Sequence, residues 1–321
     1  PAQRQPHRQR EPRPGGVMSV QVTAEVVSLR RSGAYHHLTL LAPGIPEPTR
    51  PGHFVAVAVG GEGSGMMLRR AFSIHRVTPG GPNGGTVEVV FATHGKGTRW
   101  LADRRRGDKL DVIGPLGRPF TLPTEPVSCV LVAGGYGAAP LFMLSEQLRA
   151  RGCRVDMVLG AATEDRLFGV LEAKRSSASV TVTTDDGSTG IQGRVTDPLP
   201  EIIRTAGSDV VYACGPMAML AAVAGVAAQS GAHSQCAVEE SMACGIGVCM
   251  TCVLPVRGRP TIASGAASGP FNSAACARIA ATACRRPCSR PPACASRIAR
   301  PCGVASAASS SASSQARRFA R

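Results

Sequence analysis

The chain is predicted to fold as a small antiparallel β barrel followed by a parallel-sheet α/β domain, then a short cysteine-rich subdomain and a disordered basic tail. Three observations carry this prediction. Six short strand-like runs separated by Gly and Pro occupy Met18 to Leu122. Buried apolar strands alternate with helical stretches from Val127 to Val238, the pattern of a sheet covered on both faces. From Gly258 onward the text changes to Ala, Arg, Ser, Pro, Gly and Cys with no persistent helix or strand period. With 321 residues, 43% of them apolar and 18% charged, the chain is long enough for two cored domains.

The barrel runs are SVQVTAEVVSL, HHLTLLA, HFVAVAVG, AFSIHRV, TVEVVFATHG and KLDVIGPLG. The α/β texture follows as VSCVLVAGG, a helix in APLFMLSEQLRARG, RVDMVLGAA, a charged helix in EDRLFGVLEAKR, SVTVTTDDG, SDVVYACG and an Ala-rich helix in PMAMLAAVAGVAAQSG. The expected boundaries are a disordered 1–16, a barrel over 17–122, an α/β domain over 123–235, a cysteine loop over 236–257 and a disordered or aberrant tail over 258–321.

Net charge is +15, which suggests a nucleic-acid binder until it is divided by position. Residues 1–16 carry +3, residues 257–321 carry +11, and the 240 residues between them carry only +1. The excess lies in the ends, so nucleic acid is not the expected partner. No apolar run reaches the roughly 18 residues of a membrane span, and the start lacks the apolar stretch of a secretory signal, so a cytoplasmic protein is expected. The tail composition is what a GC-rich gene read out of frame produces, and Met18 is a candidate start.

The motif richest in chemistry is MACGIGVCMTC, which sets Cys244, Cys249 and Cys252 at the C-x4-C-x2-C spacing of plant-type 2Fe-2S clusters. Gly245 and Gly247 give the loop the freedom to turn thiolates inward and to bring amides near the sulfurs. Three structural cysteines, or a zinc loop, are the alternatives. In VLVAGGYGAAPLF a strand runs through Gly134, Gly135 and Gly137 into a helix, a place for a pyrophosphate, although tight glycine turns are common in α/β folds. A second strand ends at Cys214, Gly215 and Pro216, at the same edge of a parallel sheet. In LRRAFSI, Arg70 and Ser73 lie three apart, so a kink or strand end is needed to aim both at one ligand; Gly97 and Thr98 of FATHGKGT would add amides for a diphosphate. His36, His37, His53, His75 and His94 show no metal-ligand spacing and read as surface or barrel-rim positions.

RAFS, GKGT, GPLG, GGYGAAPL, CGPMAM and ESMACGIGVCMTC, in that order, resemble the electron-transfer subunit of class B dihydroorotate dehydrogenase, within the ferredoxin-reductase superfamily. TDDGSTGIQGRV looks like another shared segment, on the nicotinamide side. The departures are Ala71, where the family commonly has Pro, and everything beyond Gly258. The resemblance implies an FAD-binding barrel, an NAD-binding domain and a 2Fe-2S subdomain. Arg70, Ala71, Phe72, Ser73, Val90, Phe91, Ala92, Gly97 and Thr98 would contact FAD. Gly134, Gly135, Gly137, Cys214, Gly215 and Pro216 would hold NAD, and Cys244, Cys249 and Cys252 would ligate iron. The family's fourth thiolate falls where this chain has Ser264 to Ser268, so either Cys276 substitutes through a longer loop or the ligand is absent. A nicotinamide exchanges two electrons and an iron-sulfur cluster one, so a flavin stands between them. The implied partner is an FMN-containing subunit that oxidises dihydroorotate, in a heterotetramer with the cysteine loop facing that partner. A reductase subunit for another NAD(P) or ferredoxin-type complex and a cluster-less binding or regulatory module are the rival readings.

Overall fold

The computed structural model describes residues 18–61, 63–80, 84–238, 242–249, 251–256 and 259–262. The first part is a closed barrel of β1 (Val20–Ser32), β2 (Tyr35–Leu41), β3 (Phe54–Val57), β4 (Arg70–Thr78), β5 (Thr86–Phe91) and β6 (Lys109–Leu116), in the order β1-β2-β5-β4-β3-β6. All its pairings are antiparallel. Alternation explains the closure: Leu38 and Leu40 of β2, Val87 and Val89 of β5, and Ile74 of β4 point into one core. Their neighbours His37, Thr39 and Glu88 stay half-buried on the outer face. A short helix, α1 (Lys96–Ala102), follows β5 and buries Leu101.

The second part is a six-stranded parallel sheet, built from β7 (Ser128–Gly134), β8 (Arg154–Ala161), β9 (Ser179–Thr184), β10 (Ile191–Gln192), β11 (Val210–Cys214) and β12 (His233–Ala237). The order β10-β9-β8-β7-β11-β12 reverses direction beside β7, and the crevice at the carboxyl ends of β7 and β11 is therefore a topological switch point. Val130 and Val132 of β7 pack with α4 (Leu199–Ala206) and α5 (Met217–Gln229). Cys129, Leu131 and Ala133 pack on the opposite face with α2 (Ala139–Ala150) and α3 (Val170–Ser176). This two-sided burial is why the strands read as unbroken apolar runs.

Several elements depart from the sequence reading. The charged stretch expected to be one helix is a single turn at Glu164–Arg166 followed by α3. Gly169 separates them with φ +70, and a Cβ there would meet the Phe142 ring at 2.3 Å. Arg259–Ile262, inside the segment expected to be disordered, forms β14, paired antiparallel with β13 (Val253–Val256). His53 and His75, expected at surface or rim positions, are buried at 2% and 3% exposure. Among the described residues no helix is long and apolar enough to cross a membrane.

The two parts meet along β4 and α2. Met143 of α2 joins the barrel core, Arg76 pairs with Glu172 at 2.6 Å and Glu146 at 3.6 Å, and the His75 ring lies 2.9 Å from the Ala139 carbonyl oxygen.

Candidate functional site: two nucleotide cradles and a cysteine loop

Arg70 opens β4, so a strand end rather than a kink frees its side chain from the alternation of the strand. Its guanidinium lies over Gly97 of α1, where a Cβ would stand 2.9 Å from Nε and 3.1 Å from Nη2. Gly97 is therefore required by close approach, and the RAFS and GKGT motifs are brought together by it. The Arg70 fork donates to the Leu68 carbonyl at 2.7 Å. Thr98 Oγ1 accepts from the backbone N–H groups of His94 and Gly95 at 2.9 and 3.2 Å, which stiffens the turn into α1. Phe72 and Phe91 touch inside the barrel, with ring centroids 5.6 Å apart. Val90 and Phe91 are 4% and 2% exposed, whereas Ala71 is exposed and Ser73 and Ala92 are half-buried.

The glycine motifs meet across the switch point around a cavity of about 660 Å³. Gly134, Gly135, Gly137, Gly215 and Pro216 line it. A Cβ on Gly137 would lie 2.6 Å from the Cys214 carbonyl oxygen and one on Gly134 2.8 Å from the Met219 sulfur, so bare backbone forms this wall. Cys214 is 1% exposed and sits behind the wall rather than in it. Tyr35 from the barrel and Arg166 after β8, which the motif reading did not single out, also reach the cavity, as do Asp185 and Arg194 of the TDDGSTGIQGRV segment expected on the nicotinamide side. Tyr35 donates its hydroxyl to the Arg166 carbonyl at 2.6 Å and thereby ties the barrel to the crevice rim. A single residue in a strand gives no local signal for such a role. Thr183, 1% exposed, lines the crevice with no hydrogen-bond partner for Oγ1. An unpaired buried hydroxyl is costly, and a polar ligand in the crevice would offer it a partner. Bare amides, two arginines and this hydroxyl suit a dinucleotide.

The cysteine loop turns through Gly245 at φ +75 and Gly247 at φ +85, values that L side chains rarely adopt. Cys244 is half-buried, Cys249 exposed and Cys252 1% exposed. Hydrogen bonds from the Thr251 hydroxyl, 2.9 Å away, and the Thr251 amide, with lesser ones from Cys244, hold the Cys249 thiol down to about 6. A thiol held as thiolate is the form that ligates iron. The donor set thus suits an iron-sulfur cluster with three ligands; the other described cysteines (Cys129, Cys153, Cys214, Cys236) are buried in the α/β domain, and Cys276 lies outside the described residues. The loop is pinned against the barrel: a Cβ on Gly245 would touch Ala56 at 2.9 Å, and Met242 packs against Phe54, Ala56 and Leu116. Ala56 pairs with Ala71 across β3 and β4, so the loop lies one strand from the RAFS strand, about 4.8 Å.

Comparison with known proteins agrees with this geometry. Residues 239–265 match the iron-sulfur cluster binding domain of dihydroorotate dehydrogenase B, and residues 131–225 match the oxidoreductase NAD-binding domain. The chain is 34% identical to the dihydroorotate dehydrogenase B (NAD(+)) electron transfer subunit of Desulforamulus reducens, over 69% of this chain and 83% of that one. It is 38% identical to the subunit of the same name from Geobacillus thermodenitrificans, over 70% and 85% of the two chains. A chain of the NADH-dependent reduced ferredoxin-NADP oxidoreductase has the same architecture, with a TM-score of 0.69 and 28% identity over 81% of this chain and 94% of that one. The matched iron-sulfur and NAD-binding models, with the flavin-reductase fold, support the cofactor set FAD, 2Fe-2S and NAD. The chain belongs to the family of dihydroorotate dehydrogenase B electron transfer subunits.

Proposed function

We propose that this chain carries electrons from a partner subunit that oxidises dihydroorotate on FMN to NAD+, in pyrimidine biosynthesis, within the cytoplasm and in a heterotetramer. The observation that carries the reading is the cysteine loop resting on the strand next to RAFS, in a chain whose glycine-walled crevice is also lined by Tyr35 of the barrel. When bound, FAD supplies the conversion between two-electron hydride exchange and one-electron exchange with the cluster.

The residues of the chain bind and position. Arg70, Ala71, Phe72 and Ser73, with Val90, Phe91, Ala92, Gly97 and Thr98, form the FAD cradle, in which the Arg70 fork matches a diphosphate. Gly134, Gly135, Gly137, Gly215 and Pro216 approach the NAD diphosphate with bare main chain, backed by Cys214. Cys244, Cys249 and Cys252 hold iron. Ile246 and Val248, 47% and 77% exposed, give the loop an apolar outer surface for the partner.

The test is co-purification with a dihydroorotate-oxidising FMN subunit and assay of NAD+ reduction by dihydroorotate. Activity in the pair, lost in Cys249→Ser while NADH still bleaches the flavin, supports the reading; a pair that never reduces NAD+ overturns it. The lack of a fourth cysteine near the loop among the described residues favours a second reading, a cluster-less NADH-dependent flavoprotein. Anaerobically purified chain showing flavin bands and no cluster bands selects it.

A further inference from the structure

We propose that His37, His75 and Glu88 form a binding site for a divalent metal ion of the zinc class, set in the seam between barrel and α/β domain and separate from the cysteine loop. One ligand atom from each residue lies within 4.8 Å of the other two. The three come from neighbouring strands, His37 on β2, Glu88 on β5 and His75 on β4. All face outward from the barrel, because Leu38, Val87, Val89 and Ile74 take the inward positions. His75 follows the inward-facing Ile74, so strand alternation puts it on this outer face, where it is nonetheless buried.

The hydrogen bonding of His75 is that of a metal ligand. Its Nδ1 is 2.9 Å from the Ala139 carbonyl oxygen, which only accepts, so Nδ1 carries a proton and Nε2 is the atom left for the cluster. On that side stands a second carboxylate, Glu172 of α3, with Oε2 3.7 Å from Nε2. Glu88 Oε1 is 2.7 Å from His37 Nδ1, and burial, which raises its carboxyl, is outweighed by that hydrogen bond and by nearby positive charge. Arg30 and Arg76 lie beside Glu88 and Glu172, at 3.7 and 2.6 Å.

The spacing also fits one ion. Imidazoles bound through nitrogens at about 2.1 Å and separated by a tetrahedral angle have centroids about 5.3 Å apart. The His37 and His75 centroids are 5.9 Å apart. Phe168 packs on both rings, at 5.5 and 5.7 Å, and Phe142 on His75 at 5.7 Å, an apolar wall of the kind that surrounds buried metal sites. Two imidazoles and a carboxylate from the barrel make a three-ligand set, and Glu172 of α3 stands beside it, 3.7 Å from His75 Nε2.

The experiment titrates Co2+ alone, then Zn2+ alone, into the full-length FAD-loaded chain and repeats both with His37→Gln and Glu88→Gln. These half-buried positions leave His75 in place. The expected result is one equivalent with nitrogen and oxygen ligation, distinguished by its cobalt spectrum from thiolate binding. It should be bound at least tenfold more weakly by each variant and should raise Tm in the parent chain only. Equal stoichiometry, affinity and spectra in the parent and both variants, or cobalt bound through thiolates alone, would overturn the site and leave a hydrogen-bonded histidine network in its place.

Discussion

The switch-point crevice and the cysteine loop hold their shapes for different reasons. In the crevice, Gly134 and Gly137 are pressed against Met219 and the Cys214 carbonyl by a sheet packed on both faces, so the cavity exists before any dinucleotide enters. In the loop, Cys249, Ile246 and Val248 are exposed, and the described anchors are Met242, Gly245 and Cys252. The first is shaped by the core, and the second is held by a few contacts at its ends. Ligand-dependent structure belongs where few apolar contacts hold the chain.

The sharpest way to break this contrast is Cys249→Ser. Complete loss of cluster absorption and of protein-bound iron is expected, with FAD content and NADH-driven flavin bleaching unchanged. A drop in NADH reactivity would mean that the loop supports the crevice.

A pH titration tests the barrel on which the loop rests. Burial, then the charge of Arg50, pulls the His53 imidazole down to about 4, while its Nδ1 accepts from the Arg50 amide at 3.1 Å. Between about 6.5 and 4 the unfolded chain binds a proton that the folded chain refuses. The stabilisation is therefore present above 6.5 and lost as pH falls, up to about 3 kcal/mol. Urea midpoints at pH 7 and pH 4.5 should show this loss, and His53→Asn should flatten it.

Gly137→Ala places a methyl 2.6 Å from a backbone oxygen that cannot swing away. A cost of about 1–3 kcal/mol in urea unfolding is expected, with NADH affinity at least tenfold weaker in stopped-flow flavin reduction. Arg70→Ala removes the fork over Gly97, and FAD should bind roughly tenfold to a hundredfold more weakly by fluorescence titration, with folding retained. The smallest effect belongs to Thr98→Val, which unpairs two exposed amides at the start of α1 for about 1 kcal/mol.

Much of the architecture was legible because it is local. Alternation in β2 and β5 announces a one-sided barrel wall, and the apolar runs of β7, β8 and β11 announce a sheet buried on two sides. The charged stretch misled because Gly169, needed where the Phe142 ring presses close, breaks a run whose composition reads as helical. β14 was missed because four residues with Pro260 among them are too short a run to show a period, and a hairpin partner holds them. The reading of the histidines failed for a related reason: His75 faces out of the barrel and is buried because Phe142 and Phe168 of the other domain cover it, which no local spacing anticipates.

What the amino-acid order determined alone is the set of periodicities, the glycines that permit bare backbone and the C-x4-C-x2-C interval, since each acts within a few residues of itself. Only the tertiary structure decided that Arg70 covers Gly97, that Tyr35 and Arg194 share one crevice, and that Gly245 rests on the strand beside Ala71. Those contacts depend on strand order and on the docking of one core against another, and no local pattern in the chain encodes either.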